Sequence, residues 1–338
     1  MAKNGTRKLN TFAVLSTKPS FNLQRVEAIL NVFLEDAALI YDPEMIHQSF
    51  KQKDGIFTFE AHPSQRPKPS NKATRFDTCN LRMLLGTPVF STNLPETGNP
   101  PADFTFEGNG AIITSDPSAI EIRTDRFGSY PIYQSKGPRG VAFSNRAVLA
   151  IALSGNRVIF DEENLLELIA TEGNLGQGEI FKSVRRLPAA KYVCIKGSEK
   201  ISERTNEKME TDVQNPCDMD FAIHKMTEFI CLAQKQYGEI VCKLTGGYDS
   251  RLNLALMKNA NVTFKCFTRI PVEESEIAIS LSKKLGLPHI LEKRSPSLNV
   301  NIEPVSLNEG MSLPKALKIQ IPPSPMFVSG AGGEFNRL

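Results

Sequence analysis

The chain has 338 residues and a formal net charge of +3, with 41% hydrophobic and 23% charged residues. This length predicts two domains, and this composition suits a folded core rather than a disordered or fibrous chain. The basic residues are spread along the sequence, so we do not expect nucleic acid to be the main partner. No run of about eighteen apolar residues is present, so we expect no membrane span.

The six cysteines and four histidines are scattered and lack the Cys-x-x-Cys spacing of a zinc or redox site. Scattered cysteines are typical of reduced thiols. The apolar run at 12–15, after the basic N-terminus, is too short for a signal peptide. We therefore expect a cytoplasmic protein.

Short β-strands separated by long loops are predicted for the first half of the chain. Compact apolar runs predict strands at 56–60, 88–92, 110–114, 119–124 and 190–195. Residues 61–75 and 93–101 are rich in proline and polar residues, and we expect them to form exposed loops.

One helix and one polar stretch follow. The helix is predicted over 161–172, with Asp161 as its cap and an apolar face made of Leu165, Leu166, Leu168 and Ile169. Polar residues dominate 197–218, so the domain boundary is predicted there, between domains at 1–205 and 215–338.

The second half alternates between helices and strands. A helix is predicted over 220–236, with Phe221, Met226, Phe229, Ile230 and Ala233 facing inward. It is followed by strand 239–244, helix 249–258, strand 262–268, helix 273–285 and strands 289–291 and 326–329. Such alternation indicates right-handed βαβ units and a parallel sheet.

The segment 245–250 (TGGYDS) joins a strand to a helix and has the residues of a phosphate-binding loop. Gly246 and Gly247 lack a Cβ atom, so we expect positive φ angles and close approach to phosphate oxygens. The N–H groups near Asp249 and Ser250 begin the helix, where an anion is favoured. Asp249 is also a suitable Mg²⁺ ligand. The alternative is an ordinary capped turn without a ligand.

No Gly-x-x-x-x-Gly-Lys-Ser/Thr motif is present; the loop instead resembles the Ser-Gly-Gly-x-Asp-Ser pyrophosphate loop of the ATP pyrophosphatase group. Within that group the chain is most similar to the asparagine synthetase family, including relatives that close β-lactams. The matching segments are 244–251 (LTGGYDSR), 264–268, 275–289 and 329–334 (SGAGGE). Residues 124–133 and 142–149 resemble the end of the family's glutaminase domain.

This resemblance implies an α+β, Ntn-hydrolase-like β-sandwich followed by an α/β domain. The second domain would be a doubly wound, adenine nucleotide α-hydrolase-like fold with a parallel sheet. ATP and Mg²⁺ would bind over 239–338, with Asp249 and Glu334 holding the metal ion. The implied nucleotide-binding residues are Leu244, Thr245, Gly246, Gly247, Asp249, Ser250, Thr268 and Gly330. The catalytic residues remain unassigned.

Three departures from the family pattern affect the expected chemistry. The family's glutaminase uses an N-terminal cysteine, whereas residue 2 is Ala and the first cysteine is Cys79, so we expect no glutaminase activity. Ala331 replaces a glutamate of the later loop, and Glu334 replaces its metal-binding aspartate. The sequence ends at Leu338, before the helical region that completes the family's pocket, so we expect a fragment, a vestigial site, or a pocket completed by another chain or second copy.

The sequence thus predicts an ATP-dependent, AMP- and pyrophosphate-forming amide ligase. Its substrates would be a small-molecule carboxylate and an amine, with ammonia or a substrate amine replacing glutamine. The alternatives are a non-catalytic nucleotide-binding or interaction protein on this scaffold, and a nucleobase- or tRNA-modifying enzyme of the same group. The weak net charge and the absence of paired cysteines count against the last alternative.

Four further residues have open roles. His289 is either a general base or, more simply, a structural hydrogen-bonding residue. Cys242 lies in the strand before the loop and is expected to face the core. Arg251 and Arg269 lie at ends of elements, where each could contact phosphate or be a solvated surface charge.

Overall fold

The computed structural model describes residues 11–17, 26, 28–30, 46–53, 56–63, 82–86, 89–90, 106–115, 119–171, 176–196, 200–205, 218–270, 274–293 and 326–329. In the first half the strands are β1 (Thr11–Thr17), β2 (Ile46–Lys53), β3 (Ile56–Pro63), β4 (Arg82–Gly86), β5 (Gly110–Ser115), β6 (Ile120–Thr124), β7 (Tyr133–Gly137), β8 (Gly140–Ser144), β9 (Val184–Arg186), β10 (Lys191–Lys196) and β11 (Lys200–Thr205). The helices are α1 (Ala147–Ser154) and α2 (Glu162–Thr171), and the described residues 26 and 28–30 are also helical.

These strands form two antiparallel sheets that pack against each other. The sheet orders are β2-β3-β1-β8-β7-β9 and β11-β10-β6-β5-β4. Alternate side chains of a strand point to opposite faces, so Val14 and Phe143 pack against Ile113, Ile122 and Val193 of the other sheet. On the opposite face of the six-stranded sheet, α1 buries its apolar side chains against β1 and β8. The described part of the first half is therefore a β-sandwich, with α1 and the helical residues Val26 and Leu30 packed on one outer face.

The second half contains a separate parallel sheet. Its strands are β12 (Ile240–Lys243), β13 (Phe264–Ile270), β14 (His289–Lys293) and β15 (Met326–Val328), and its helices are α3 (Met219–Tyr237), α4 (Tyr248–Asn259) and α5 (Ser275–Lys284). The strand order is β14-β13-β12-β15, and all three pairings are parallel. A cluster of buried apolar side chains from this sheet and its helices forms one core, which also contains Val89. The fold is therefore a mixed α/β arrangement of three sheets in the described residues.

Most element predictions are confirmed, with boundary shifts of one to three residues. The predicted strand at 88–92 is an exception in its described part, because Val89 forms only an isolated bridge with Glu107. Asp161 does cap α2, accepting a hydrogen bond from the Asn164 N–H at 3.2 Å. None of the helices in the described part of the chain has the length and apolar character needed to cross a membrane.

The apolar faces predicted for two helices are partly wrong. Leu166 and Ile169 of α2 are 66% and 70% exposed, and α2 has no buried residue. In α3, Ile230 and Ala233 are buried as predicted, but Phe221 and Met226 are 59% and 50% exposed. Helical periodicity identifies a face, whereas burial depends on whether another element reaches that turn.

Candidate functional site

The glycine-containing loop follows β12, the strand of the parallel sheet at which the strand order reverses. The chain leaves β12 at Lys243, passes through residues 244–247 and begins α4 at Tyr248. From β12 the sheet extends through β13 to β14, whereas β15 lies on the opposite side of β12. In open parallel sheets, ligands bind beyond the carboxyl ends of the strands at such a reversal of strand order. The predicted phosphate loop therefore occupies the usual ligand position of this architecture.

The two hydroxyl groups of the loop bond to the loop itself. The Ser250 hydroxyl accepts the Thr245 N–H at 3.1 Å and lies 3.0 Å from the carbonyl oxygens of Thr245 and Gly247. The Thr245 hydroxyl lies 3.0 Å from Ser250 Oγ and accepts the Gly247 N–H at 3.2 Å. Ser250 is only 4% exposed. Both hydroxyls were predicted to bind nucleotide, but in this conformation they maintain the turn.

Gly246 and Gly247 differ in whether the surrounding structure leaves space for a side chain. Gly247 has φ −70° and ψ 159° and is the N-cap residue of α4, and Gly246 is absent from the residues with positive φ, so the expectation of positive φ is wrong. A Cβ on Gly246 would lie 2.5 Å from Glu274 Cβ and 3.1 Å from the Glu274 carbonyl oxygen. A Cβ on Gly247 would meet nothing closer than 3.4 Å. Gly246 is therefore needed for packing, whereas the side-chain face of Gly247 has room.

Glu274 is a neighbour of the loop that no sequence motif indicates. It precedes α5 and is exposed, and its Oε2 would lie 3.5 Å from a Cβ on Gly247. Its carboxylate is therefore next to the face of Gly247 that a phosphate would approach. No motif indicated this contact, because Glu274 is 27 residues beyond Gly247 and only the sheet topology brings the two together.

Thr268 and His289 form a buried hydrogen-bonded chain behind the loop. The Thr268 hydroxyl, 1% exposed, donates to the Leu244 carbonyl oxygen at 2.6 Å. It therefore accepts the N–H from His289 Nε2 at 2.8 Å, which assigns the proton of a neutral imidazole to Nε2. In this neutral form His289 Nδ1 accepts from the Ser282 hydroxyl at 2.6 Å, although the Ser282 hydroxyl also lies 2.9 Å from its other acceptor, the Ile279 carbonyl oxygen. Burial lowers the pKa of His289, which favours this neutral form. His289 has the structural role, and the side chain of Thr268 is engaged by Leu244.

The start of the later loop lies close to α4. Asn253 Nδ2 donates to the carbonyl oxygen of Ser329 at 3.1 Å. Asn253 is one turn beyond Asp249, which is half-buried, so Ser329 lies beside the second turn of α4. The predicted ligands Gly330 and Glu334, and the substitution at Ala331, lie outside the described residues. Their contribution stays a prediction.

The remaining candidate residues are two arginines and Cys242, and their environments differ. Arg269 Nε donates to Glu292 Oε2 at 3.0 Å, whereas none of the ion pairs among the described residues involves Arg251. Cys242 is fully buried as predicted, and burial raises its pKa to about 12. Such a thiol is not a nucleophile near neutral pH.

A metal site formed by the protein alone is not present in the described part of the chain. No three His, Cys, Asp or Glu side chains converge there. A magnesium ion in this site would therefore depend on oxygen atoms of a bound phosphate ligand together with one or two carboxylates. Asp249 and Glu274 are the two carboxylates of the loop and its neighbour.

No family model and no curated protein sequence matches the chain. Among solved structures, it is similar to the glutamine phosphoribosylpyrophosphate (PRPP) amidotransferase from B. subtilis complexed with ADP and GMP, with 8% identity and a TM-score of 0.32 over 83% of this chain and 65% of that chain. The structure of the allosteric regulatory enzyme of purine biosynthesis is 10% identical, with a TM-score of 0.28 over 90% of this chain and 64% of that chain. The chain thus spans slightly less than two thirds of either protein, and TM-scores below 0.5 do not establish a shared fold.

Proposed function

We propose that loop 244–250 and the first turn of α4 bind the phosphates of ATP. We further propose that the protein is an ATP-dependent amide ligase that releases AMP and pyrophosphate, as the resemblance to asparagine synthetase implies. The observation that supports this most strongly is the position of the loop, at the carboxyl end of β12 where the strand order of a parallel sheet reverses. An Ntn-hydrolase-like N-terminal domain and an adenine nucleotide α-hydrolase-like C-terminal domain are part of the same proposal.

The loop itself offers backbone rather than side-chain groups to an anion. The first N–H groups of a helix have no partner within the helix, and the helix dipole places partial positive charge there. The first turn of α4 begins at Tyr248 and contains the N–H group of Ser250. Gly247 has room on its side-chain face, so a phosphate oxygen can approach the main chain closely. The hydroxyls of Thr245 and Ser250 hold the loop in the shape that presents these N–H groups.

A divalent cation would offset the negative charge of the carboxylates beside this loop. The carboxylate of Glu274 lies next to Gly247, and a bare phosphate group would be repelled by it. Asp249 and Glu274 would hold Mg²⁺, which would neutralise the phosphates when bound. The free cysteines of the described residues (Cys194, Cys231, Cys242 and Cys266) suit the reducing conditions of a cytoplasmic enzyme.

The proposed reaction has two steps. A carboxylate oxygen of the acid attacks the α-phosphorus of ATP, and the bond to pyrophosphate breaks, giving an acyl-adenylate. The amine then attacks the acyl carbon and loses a proton, and AMP leaves with the pair of electrons of the broken bond. The contribution of this chain is to position the phosphates and neutralise their charge. The nitrogen donor is ammonia or a substrate amine.

A non-catalytic nucleotide-binding protein is the second candidate, and the closed loop favours it. The hydroxyls of Thr245 and Ser250 and the N–H of Gly247 all bond within the turn, so the turn is complete without a ligand. Ala331 also replaces the glutamate that the family uses near the reacting groups. Such a protein would bind ATP and leave it intact.

Pyrophosphate–ATP exchange with a panel of amino acids and other carboxylates distinguishes the two candidates. An adenylating enzyme exchanges label only when its acid is present, and Asp249→Ala abolishes the exchange. Formation of ADP instead of AMP would contradict the proposed reaction. Binding of Mg·ATP without exchange for any acid would support the non-catalytic protein, and absence of any Mg·ATP binding would exclude both.

A further inference from the structure

Arg251 occupies an electrostatically unfavourable position. It lies in the first turn of α4, where its N–H donates to the carbonyl oxygen of Gly247 at 3.3 Å. A helix N-terminus carries partial positive charge, so a cation there is disfavoured. A nearby carboxylate could compensate, but Arg251 belongs to none of the ion pairs formed among the described residues. Helix stability alone therefore does not account for this arginine.

The guanidinium group also lacks a hydrogen bond that burial requires. Arg251 Nε is buried, and no acceptor among the described residues bonds to it. Burying an unpaired donor costs free energy that solvent exposure would avoid. The guanidinium carbon lies 4.5 Å from the centre of the Tyr248 ring. Tyr248 precedes Arg251 by three positions and is 78% exposed, so this contact keeps the guanidinium over the exposed ring of the first residue of α4.

Arg269 has the opposite environment and provides a comparison within the same sheet. It lies near the carboxyl end of β13, the strand next to β12, and its Nε donates to Glu292 Oε2 at 3.0 Å. Its charge is therefore compensated by the protein itself. The sequence alone makes the two arginines equivalent candidates for a phosphate contact, and the structure distinguishes them.

We propose that Arg251 binds phosphate oxygens of the nucleotide held by loop 244–250, a role that rests on the proposed function. A guanidinium group presents N–H donors in a planar fork that matches a phosphate group. An anion at this place would compensate the guanidinium charge and the helix dipole together. Arg251 is thus a specificity-determining residue for a phosphorylated ligand, whereas Arg269 is a structural one.

Calorimetry tests this proposal by measuring the affinity of the full chain for two probes, Mg·ATP and Mg·pyrophosphate. Arg251→Gln is expected to weaken binding about 10- to 100-fold, since a hydrogen bond to a charged group is lost. Arg251→Lys keeps the charge but lacks the planar fork, so its affinity should lie between those of the wild type and Arg251→Gln. The matched control Arg269→Gln should bind both probes as the wild type does. A loss confined to Mg·ATP places the contact at the α-phosphate, and equal losses place it at the β- and γ-phosphates.

The ligand-free melting temperature separates a binding role from a structural one. Removing the cation relieves its conflict with the helix dipole but loses the contact with Tyr248, so we expect Arg251→Gln to melt within about 4 °C of the wild type. If Arg251→Gln binds both probes with wild-type affinity, or if Arg251→Gln and Arg269→Gln weaken binding equally, the role proposed for Arg251 is overturned. The proposed function is not affected by either result. Failure of the wild-type chain to bind either probe would overturn the proposed function and the role of Arg251 with it.

Discussion

The hydroxyl group of Thr268 donates a hydrogen bond of 2.6 Å to the main-chain carbonyl oxygen of Leu244, the residue between β12 and the glycine loop. The Leu244 N–H in turn donates to the carbonyl oxygen of Phe267 at 2.9 Å. Leu244 is fully buried, so its backbone groups have no access to water. The start of the loop is thus held in place by β13.

Thr268→Val tests this dependence, because valine has nearly the same shape and lacks the hydroxyl. Both the Leu244 carbonyl and the His289 Nε2–H lose a buried partner, so we expect a loss of about 1–3 kcal/mol in the free energy of unfolding. Urea denaturation measures it. A variant as stable as the wild type would show that the hydroxyl does not hold the loop.

The stability of the protein should depend on pH through His289. Burial lowers its folded-state pKa below the ordinary value of about 6.5, so the unfolded chain binds more protons as the pH falls through that value. The contribution of the neutral imidazole is complete above about pH 6.5 and declines below it, by at most about 1.4 kcal/mol per pH unit, until the folded-state pKa is passed. Urea denaturation from pH 7.5 to 5 measures this decline. His289→Gln keeps a donor for Thr268 and should remove this part of the decline; an unchanged profile would assign it to other groups.

The two glycines of the loop should respond differently to alanine. Gly246→Ala places a Cβ 2.5 Å from Glu274 Cβ, so we expect a loss of stability of about 1–3 kcal/mol. Gly247→Ala meets only ordinary contacts and suits φ −70°, so its cost should not exceed about 1 kcal/mol. Gly247→Ala should nevertheless lose most of the rise in melting temperature caused by Mg·ATP, because its methyl group occupies the face that a phosphate would approach. A full Mg·ATP shift in Gly247→Ala would show that this face is not the phosphate site.

Glu274 should make nucleotide binding depend on magnesium. When Mg²⁺ is removed with EDTA, we expect Glu274→Gln to bind ATP about two- to fivefold more tightly than the wild type, since an exposed like charge is removed. With Mg²⁺ present the advantage should disappear or reverse, because the carboxylate would then contact the cation. Calorimetry with and without EDTA measures both affinities. Glu276→Gln, an exposed carboxylate in the first turn of α5, is the control for net charge and should have no effect under either condition.

Part of the candidate site could be predicted from local sequence. Strand, glycines and helix occur within about a dozen residues at 239–250, and each has a local signal: a compact apolar run, two glycines, and an Asp-Ser pair at a helix start. The structure confirms the strand, the turn and the helix in this order. The part played by Thr245 and Ser250 could not be predicted, because a hydroxyl can bond to a ligand or to its own turn, and only the backbone geometry decides between them.

The sequence by itself determined the local elements of the second half, the parallel character of its sheet and the position of the glycine loop within its strand–helix unit, since apolar periodicity and turn residues act over short distances. Only the tertiary structure decided that Glu274 lies against Gly246, that Thr268 bonds to Leu244, and that Arg269 has a carboxylate partner whereas Arg251 has none among the described residues. These relationships join residues about 20 to 30 positions apart, and they depend on strand order and register. Periodicity specifies which face of an element is apolar, but the neighbour of that face is specified by the packing of the whole sheet.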